Sequence, residues 1–299
     1  MAKRILSNLS IYFAFFCLIT ACVESPTENS DEVNLQVDSS SVSSSLERNN
    51  TYYPIPSPEE MFDFIKSNQL DYDQSINQQL NIQNFQTEKE KALAFGIYSA
   101  NLAYAVAYDD ARMALNYYKT IRQLASELGI DGAMNQEIMN KLQKKLSNPD
   151  SLMSIMSASY GESVNFLEEN KRGNIVAVIA TSAWIESMYI VVNNLEYDSS
   201  RQSVFQRIAD QRLVFRNLWG YLKIYEEDVM VNDLMSSLLT TRAIFDNFQE
   251  VSIGSSSVKK KGSKLIFAGG TKIEMSPGQY LELKEAIKSL RIDILKEKI

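Results

Sequence analysis

The sequence predicts an all-α protein: a multi-helix bundle or an array of helical hairpins, followed by a small C-terminal β-hairpin and one last helix. Three observations predict this class. Apolar residues recur at helical spacing through most of the chain beyond residue 87. All six prolines lie before residue 59 or at predicted helix starts, so none interrupts a helical run. The capping box of a helix start, Ser or Thr followed three residues later by Glu or Gln, occurs at Ser57, Thr87 and Ser276.

The N-terminus has the features of a signal peptide that ends at a lipidated cysteine. Lys3 and Arg4 form a positive start, and the stretch from 5 to 21 is mainly apolar. The next residue completes Ile19-Thr20-Ala21-Cys22, which is similar to the bacterial lipobox. We therefore predict removal of residues 1–21 and acylation of Cys22. Two acyl chains such as palmitate would anchor the protein stably to a membrane. The alternative is an uncleaved anchor with an incidental cysteine.

Residues 22–53 are rich in serine and acidic side chains, and Arg48 is their one basic residue. With so few apolar side chains, this segment cannot offset the entropy of ordering, so we expect a disordered tether between the membrane and the folded body. The acids just after Cys22 are similar to the export signals of surface lipoproteins, or they belong to an ordinary solvated linker. The sequence leaves both interpretations open.

Composition excludes several classes of function. The formal charge is −7, and removal of Lys3 and Arg4 with the signal peptide makes it −9, which argues against nucleic-acid partners. There is no histidine, Cys17 leaves with the signal peptide, and Cys22 is acylated. A mature domain without imidazole or free thiol cannot use Cys-His or Ser-His-Asp catalysis or a zinc site of the usual kind. We expect no cofactor and no metal.

The folded part divides into a helical domain, 54–253, and a tail, 254–299, that packs on it. The first long helix begins at Thr87 and is apolar on all sides, so we expect it to be central. Chain breaks are predicted near Asp109 and at Gly129. Further helices are predicted from Asn148 to before Gly173 and over 174–195, 199–222 and 224–250. In the tail, 254–257 is predicted as a linker, Gly269-Gly270 as the turn between two short strands, and Ser276 as the start of the last helix.

The stretch from 175 to 192 is apolar enough to raise the question of a membrane span. Glu186 lies within it, and a carboxylate near the middle of a span costs about 2.5–3.5 kcal/mol on insertion scales. A helix that is apolar on all sides is also typical of the centre of a bundle. We therefore interpret this stretch as a core helix.

Glu186 is the acid most open to a special role, because its neighbours predict burial. A buried carboxylate needs a partner, and Arg212 and Arg216, one helical turn apart, are the predicted partners. Two interpretations follow: a pocket acid with a raised pKa, or a structural ion pair between packed helices, which we favour. The acidic runs at Asp109 and Glu226 are candidates for carboxylate chemistry, but adjacent acids on one helix diverge by about 100° each. Charge at a helix start explains Asp109 and Asp110 more simply.

Three stretches together resemble a family of helical lipoproteins of Bacteroidota: YYPIPSPEEMFDFI, then TEKEKALAFGIYSANLAYAVAYDDARMALNYYKTIRQLASELGI, and AVIATSAWIESMYI. The resemblance covers residues 52–250. It implies a helical body in the cell envelope and transfers no catalytic residue.

We therefore expect an outer-membrane lipoprotein that acts by binding a protein or a ligand in the envelope, or as a scaffold, without catalysis. The face of the membrane is left open. The alternatives are a carboxylate-dependent glycan hydrolase, which needs a convergent acid pair in a cleft, and an accessory lipoprotein of a nutrient transporter, which needs an exposed aromatic platform.

Overall fold

The computed structural model describes residues 70–76, 82–130, 148–261 and 264–295, with isolated positions between 56 and 68. The predicted signal peptide, Cys22, the tether and the cap at Ser57 lie outside the described residues. Within them the chain forms eight α-helices and one antiparallel two-stranded sheet near the C-terminus. This confirms the predicted all-α class with its small hairpin.

Helix α1 (Glu88–Ala107) and helix α2 (Ala111–Glu127) form the first antiparallel pair. The predicted capping box opens α1, where the Thr87 side chain accepts from the Glu90 backbone N–H and the Glu90 carboxylate accepts from that of Thr87. Asp109 has a φ of 57° at the break, and the Asp110 carboxylate caps α2 by accepting from the Met113 N–H at 3.0 Å. The predicted break near Asp109 is thus a turn, and the residue after it, Asp110, caps the next helix.

Helix α3 (Pro149–Glu169) begins where predicted, with Asn148 Oδ1 accepting from the Ser151 N–H at 2.9 Å. Helix α4 (Gly173–Asn193) follows after a short turn and lies at the centre of the molecule, packed against α1. By length and composition α4 could cross a membrane, with a mean hydropathy of 1.9, but 89% of its most apolar stretch is buried inside the protein. It is therefore built as the core helix that the sequence suggested.

Three helices follow α4, the last two of them short. Helix α5 (Gln202–Ile224) matches the predicted 199–222 closely. The single helix predicted over 224–250 is wrong, because the chain forms α6 (Val229–Ser237) and α7 (Leu239–Asp246) and then enters a strand. Asp228 begins α6 by accepting from the backbone N–H groups of Met230 and Val231, at 2.9 and 3.2 Å. The acidic run 226–228 thus contains a helix cap, although the apolar pattern shows no break there.

The hairpin is longer than predicted, and its turn lies elsewhere. Strand β1 (Gln249–Lys261) pairs with β2 (Lys264–Glu274), and the register joins Lys261 to Lys264. The connection is therefore at 262–263, and the predicted turn at Gly269-Gly270 is wrong because those residues lie inside β2. The predicted linker 254–257 is part of β1, where the register slips between Ile253 and Ser257.

Helix α8 (Pro277–Leu295) ends the described chain and packs against α4 and α7. Its predicted capping box is present: the Ser276 hydroxyl accepts from the Gln279 N–H at 3.3 Å, and Gln279 Oε1 accepts from the Ser276 N–H at 2.8 Å. Ile273 in β2 and Leu283, Ile287 and Leu290 in α8 belong to the same buried cluster as α1 and α4. Strand and helix of the tail thus share the core of the helical body.

Candidate functional site

Glu186 lies in the middle of α4 with none of its surface exposed. Arg291 of α8 donates to both carboxylate oxygens, from Nε to Oε2 at 2.7 Å and from Nη2 to Oε1 at 3.2 Å. Asn101 of α1 adds a third donor, from Nδ2 to Oε1 at 3.1 Å. Glu186 is therefore part of a buried ion pair that joins three helices.

The partner of Glu186 differs from the predicted arginines. Arg212 Nη1 lies 3.0 Å from Glu250 Oε1, at the start of the hairpin, and Arg216 is an exposed residue of α5. Arg291 instead stands in the buried stripe of α8, a position that packing of this helix on α4 brings to Glu186. The sequence signal that could have identified it is the pair Lys284 and Arg291, two basic residues seven positions apart within an otherwise apolar stripe.

The surroundings of Arg291 fix its charge. The guanidinium carbon lies 4.2 Å from the centre of the Tyr189 ring, a cation–π contact. Burial by itself would lower the pKa of Arg291, but the adjacent Glu186 carboxylate outweighs it and raises the pKa. A permanent cation therefore holds a carboxylate that has no contact with solvent. This arrangement is that of a structural ion pair rather than of a pocket acid.

A second polar contact fixes α8 to the end of α4. Tyr280 Oη donates to the Leu195 carbonyl at 2.7 Å, and Lys284 Nζ donates to the same carbonyl at 2.9 Å. Lys284 also contacts Glu196 Oε1 at 2.6 Å. The lysine is buried while the carboxylate is mostly exposed, and hydrogen bonding from Lys284 lowers the pKa of Glu196. These bonds hold in place the loop that carries Tyr197.

A surface cleft of about 560 Å³ opens beside that loop, within the size range of small-molecule sites. Four parts of the chain line it: the loop after α4, the first turns of α5, the base of the hairpin and the start of α8. Its lining residues are Tyr197, Asp198, Gln202, Phe205, Gln206, Ala209, Gln249, Lys272, Glu274, Met275, Ser276 and Gln279. Elements distant in the sequence thus meet at one concave surface.

Three other cavities lined by described residues are much smaller. The cavity between α4 and α5, lined by Trp184, Met188 and Gln211, has about 50 Å³, and a third, beside Tyr118 and Tyr160, has about 30 Å³. Since a single water needs roughly 10–15 Å³ measured in this way, these two spaces hold a few waters at most. The cleft beside Tyr197 is therefore the candidate binding site.

Hydrogen bonding divides the four glutamines of the cleft into two groups. Gln206 Nε2 donates to Asp210 and to the Ile273 carbonyl, at 2.8 and 2.9 Å, and so joins α5 to β2. Gln279 is occupied by its capping box and by the Asn247 carbonyl. The side-chain amides of Gln202 and Gln249 are exposed and have no hydrogen-bond partner among the described residues. Two amides thus shape the cleft, and two are available to a ligand.

Tyr197 supplies an aromatic surface at the cleft. Its ring packs against Phe205 with the two centres 4.7 Å apart, and Phe205 in turn contacts Tyr280 at 5.0 Å. Tyr197 nevertheless keeps 36% of its surface exposed. The ring therefore contacts two buried aromatics, Phe205 and Tyr280, while part of the residue remains exposed to solvent.

The sequence did not single out the cleft. Tyr98, Tyr104, Tyr117, Tyr118 and Tyr221 lie on helices and are all buried. The available signal for Tyr197 was an aromatic residue in the polar stretch between two predicted helices. The glutamines gave no signal, because their proximity exists only in the folded chain.

Comparison of the chain with models of known protein families, with curated proteins and with solved structures finds no match.

Proposed function

We propose that this chain is a lipid-anchored lipoprotein of the outer membrane whose helical body acts as a non-catalytic binding module, with the cleft beside Tyr197 as its binding site. The lipobox-like sequence that ends at Cys22 supports the anchor. The observation that carries the binding role is the cleft itself: a ligand-sized concave surface with an exposed ring and two unengaged amides.

The acids of the cleft support binding rather than hydrolysis. A glycosidase needs one carboxyl group with a raised pKa that can donate a proton. Both carboxylate oxygens of Asp198 accept from Ser200, from its backbone N–H and from its hydroxyl, each at 2.8 Å, and these bonds lower the pKa of Asp198. Glu274 has an ammonium neighbour, Lys272, at 3.8 Å. Asp198 is thus held as an anion, and Glu274 lies beside an ammonium group.

The exposed ring also favours a second candidate, an accessory lipoprotein of an outer-membrane nutrient transporter. Such a protein would capture a solute and pass it on, which needs an open platform rather than an enclosed pocket. Tyr197, supported by Phe205, has that character.

Anchorage is tested by cell fractionation. Wild-type protein should sediment with membranes and incorporate labelled palmitate, and Cys22→Ala should do neither. Continued membrane association of the alanine variant would contradict the lipid anchor. Proteinase treatment of intact cells, with a periplasmic protein as the intactness control, then decides which face of the membrane the body occupies.

Binding is tested with the mature chain carrying Cys22→Ala and ¹³C-methyl methionine. Met275 lines the cleft and Met188 lines the smaller cavity between α4 and α5, so the two methyl signals distinguish the sites. Neutral oligosaccharides, short peptides and inorganic anions are titrated separately. A saturable shift of the Met275 signal alone is the expected result. If none of the three classes moves it, the cleft is not the binding site.

A further inference from the structure

We propose that the cleft beside Tyr197 recognises a neutral carbohydrate, either a free oligosaccharide or a sugar residue of a larger glycan. This inference rests on the proposed binding role of the cleft and adds the chemical class of the ligand. Three properties of the cleft carry it: a supported aromatic surface, side-chain amides that can pair with hydroxyl groups, and a lining with almost no net charge.

The aromatic surface fits a sugar ring. A pyranose has a face of C–H groups, and the electron-rich face of an aromatic ring attracts such weakly positive hydrogens. Tyr197 offers the surface, and its packing on Phe205 limits the rotamer freedom that binding would otherwise remove. A flexible peptide chain does not need a flat platform of this kind, whereas a rigid saccharide ring does.

The amides fit the hydroxyl groups. A primary amide is both donor and acceptor, as is a sugar hydroxyl, so one glutamine can pair with two neighbouring hydroxyls. Gln202 is on the α5 side of the cleft and Gln249 is on the hairpin side, and both are exposed without partners among the described residues. A ligand that filled the cleft would therefore find hydrogen-bonding groups from two sides.

The charge of the lining disfavours anionic ligands. Asp198 and Glu274 contribute two carboxylates and Lys272 one ammonium, which leaves a formal charge of −1. Each carboxylate oxygen of Asp198 already accepts one hydrogen bond from Ser200, and Glu274 and Lys272 are close enough to offset each other. A phosphate or carboxylate ligand would meet a net negative surface with one lysine, whereas a neutral polyol loses nothing there.

The test measures glycan binding by the mature Cys22→Ala chain on a glycan array, followed by titration of the bound glycans against the Met275 methyl signal. Tyr197→Phe keeps the ring and should bind within a few-fold of the parent. Tyr197→Ala loses the stacking surface and should bind on the order of tenfold more weakly, which corresponds to about 1.4 kcal/mol.

Matched glutamine variants guard against misfolding. Gln202→Ala removes a free amide of the cleft and should weaken binding several-fold. Gln123→Ala removes an exposed helical glutamine of α2, which hydrogen-bonds Glu127, and should leave binding unchanged. Circular dichroism of each variant confirms the fold. Equal binding by all of them would overturn the assignment of the cleft.

The outcomes separate the two proposals. Glycan binding that depends on Tyr197 supports both. If no glycan on the array binds but peptides or anions shift Met275, the binding role stands and the carbohydrate inference is wrong. If no probe of any class shifts Met275, both fail. Binding of polymers but not of short oligosaccharides identifies a glycan surface, rather than a free sugar, as the source.

Discussion

Breaking the buried pair of Glu186 and Arg291 should destabilise the protein more than any exposed charge change. In Arg291→Met the carboxylate keeps one donor, Asn101, and remains without solvent contact. Leaving one charge of a buried pair unpaired costs about 3–5 kcal/mol. With the melting temperature changing by roughly 2–4 °C per kcal/mol for a domain of this size, the variant should melt about 6–20 °C lower.

The double variant Glu186→Leu with Arg291→Met distinguishes the cost of an unpaired buried charge from the cost of losing the ion pair itself. Replacing both charges with apolar side chains removes the unpaired charge, and such replacements range from neutral to stabilising by about 1–4 kcal/mol. Against this, Asn101 loses an acceptor, which costs about 1–3 kcal/mol. The double variant should therefore be much closer to wild type than Arg291→Met is.

The assay is urea unfolding, followed by far-ultraviolet circular dichroism and by fluorescence of the protein's two tryptophans, one of which, Trp184, lies two positions before Glu186 on α4. The matched control is Lys89→Met, which breaks an ion pair with Asp233 at 2.9 Å whose side chains are 28% and 61% exposed. It should change stability by less than about 1 kcal/mol. The reasoning is refuted if Arg291→Met costs no more than this control, or if the single changes at Glu186 and Arg291 are simply additive.

Two further predictions concern the helix interface and alkaline pH. A methyl group at Gly96 would lie 2.3 Å from the Ile179 carbonyl oxygen, so Gly96→Ala should force α1 and α4 apart and cost about 1–3 kcal/mol. Gly278→Ala, whose nearest neighbour would be 4.0 Å away, is the control and should be neutral or slightly stabilising; equal effects would contradict the close approach. Burial raises the pKa of Tyr118 from 10.0 to about 12, so the stability it contributes is complete below pH 10 and is lost as the pH rises through about 12. Absorbance at 295 nm should show part of the tyrosines ionising only as the protein unfolds, and complete ionisation near pH 10 in the folded state would count against this.

The helix starts were predictable because capping is local. Thr87, Asn148 and Ser276 each bond to the backbone N–H three residues ahead, so the sequence contains the whole interaction. The start at Asp228 uses the same physics, yet it was missed because the apolar pattern continues across it. The spacing of apolar residues shows which face of a helix is buried. It does not reveal a break in the helix when the apolar residues keep the same spacing on both sides of the break.

The hairpin shows the opposite limit. Both Gly262-Ser263 and Gly269-Gly270 suit a tight turn, and local preference does not choose between them. The choice follows from the ladder, which runs from Gln249 paired with Glu274 to Lys261 paired with Lys264. The number of residue pairs in the ladder depends on both strands together, so neither segment alone predicts it.

The sequence by itself determined the all-α class, most helix starts, the absence of histidine, and the burial of Glu186 with a charged partner. Each of these depends on residue types or on neighbours within about four positions. Only the tertiary structure decided that the partner is Arg291, 105 positions away, and that Tyr197, Gln202 and Gln249 meet at one cleft. Desolvation requires that a buried charge be paired, but which arginine pairs with it depends on how α8 packs against α4.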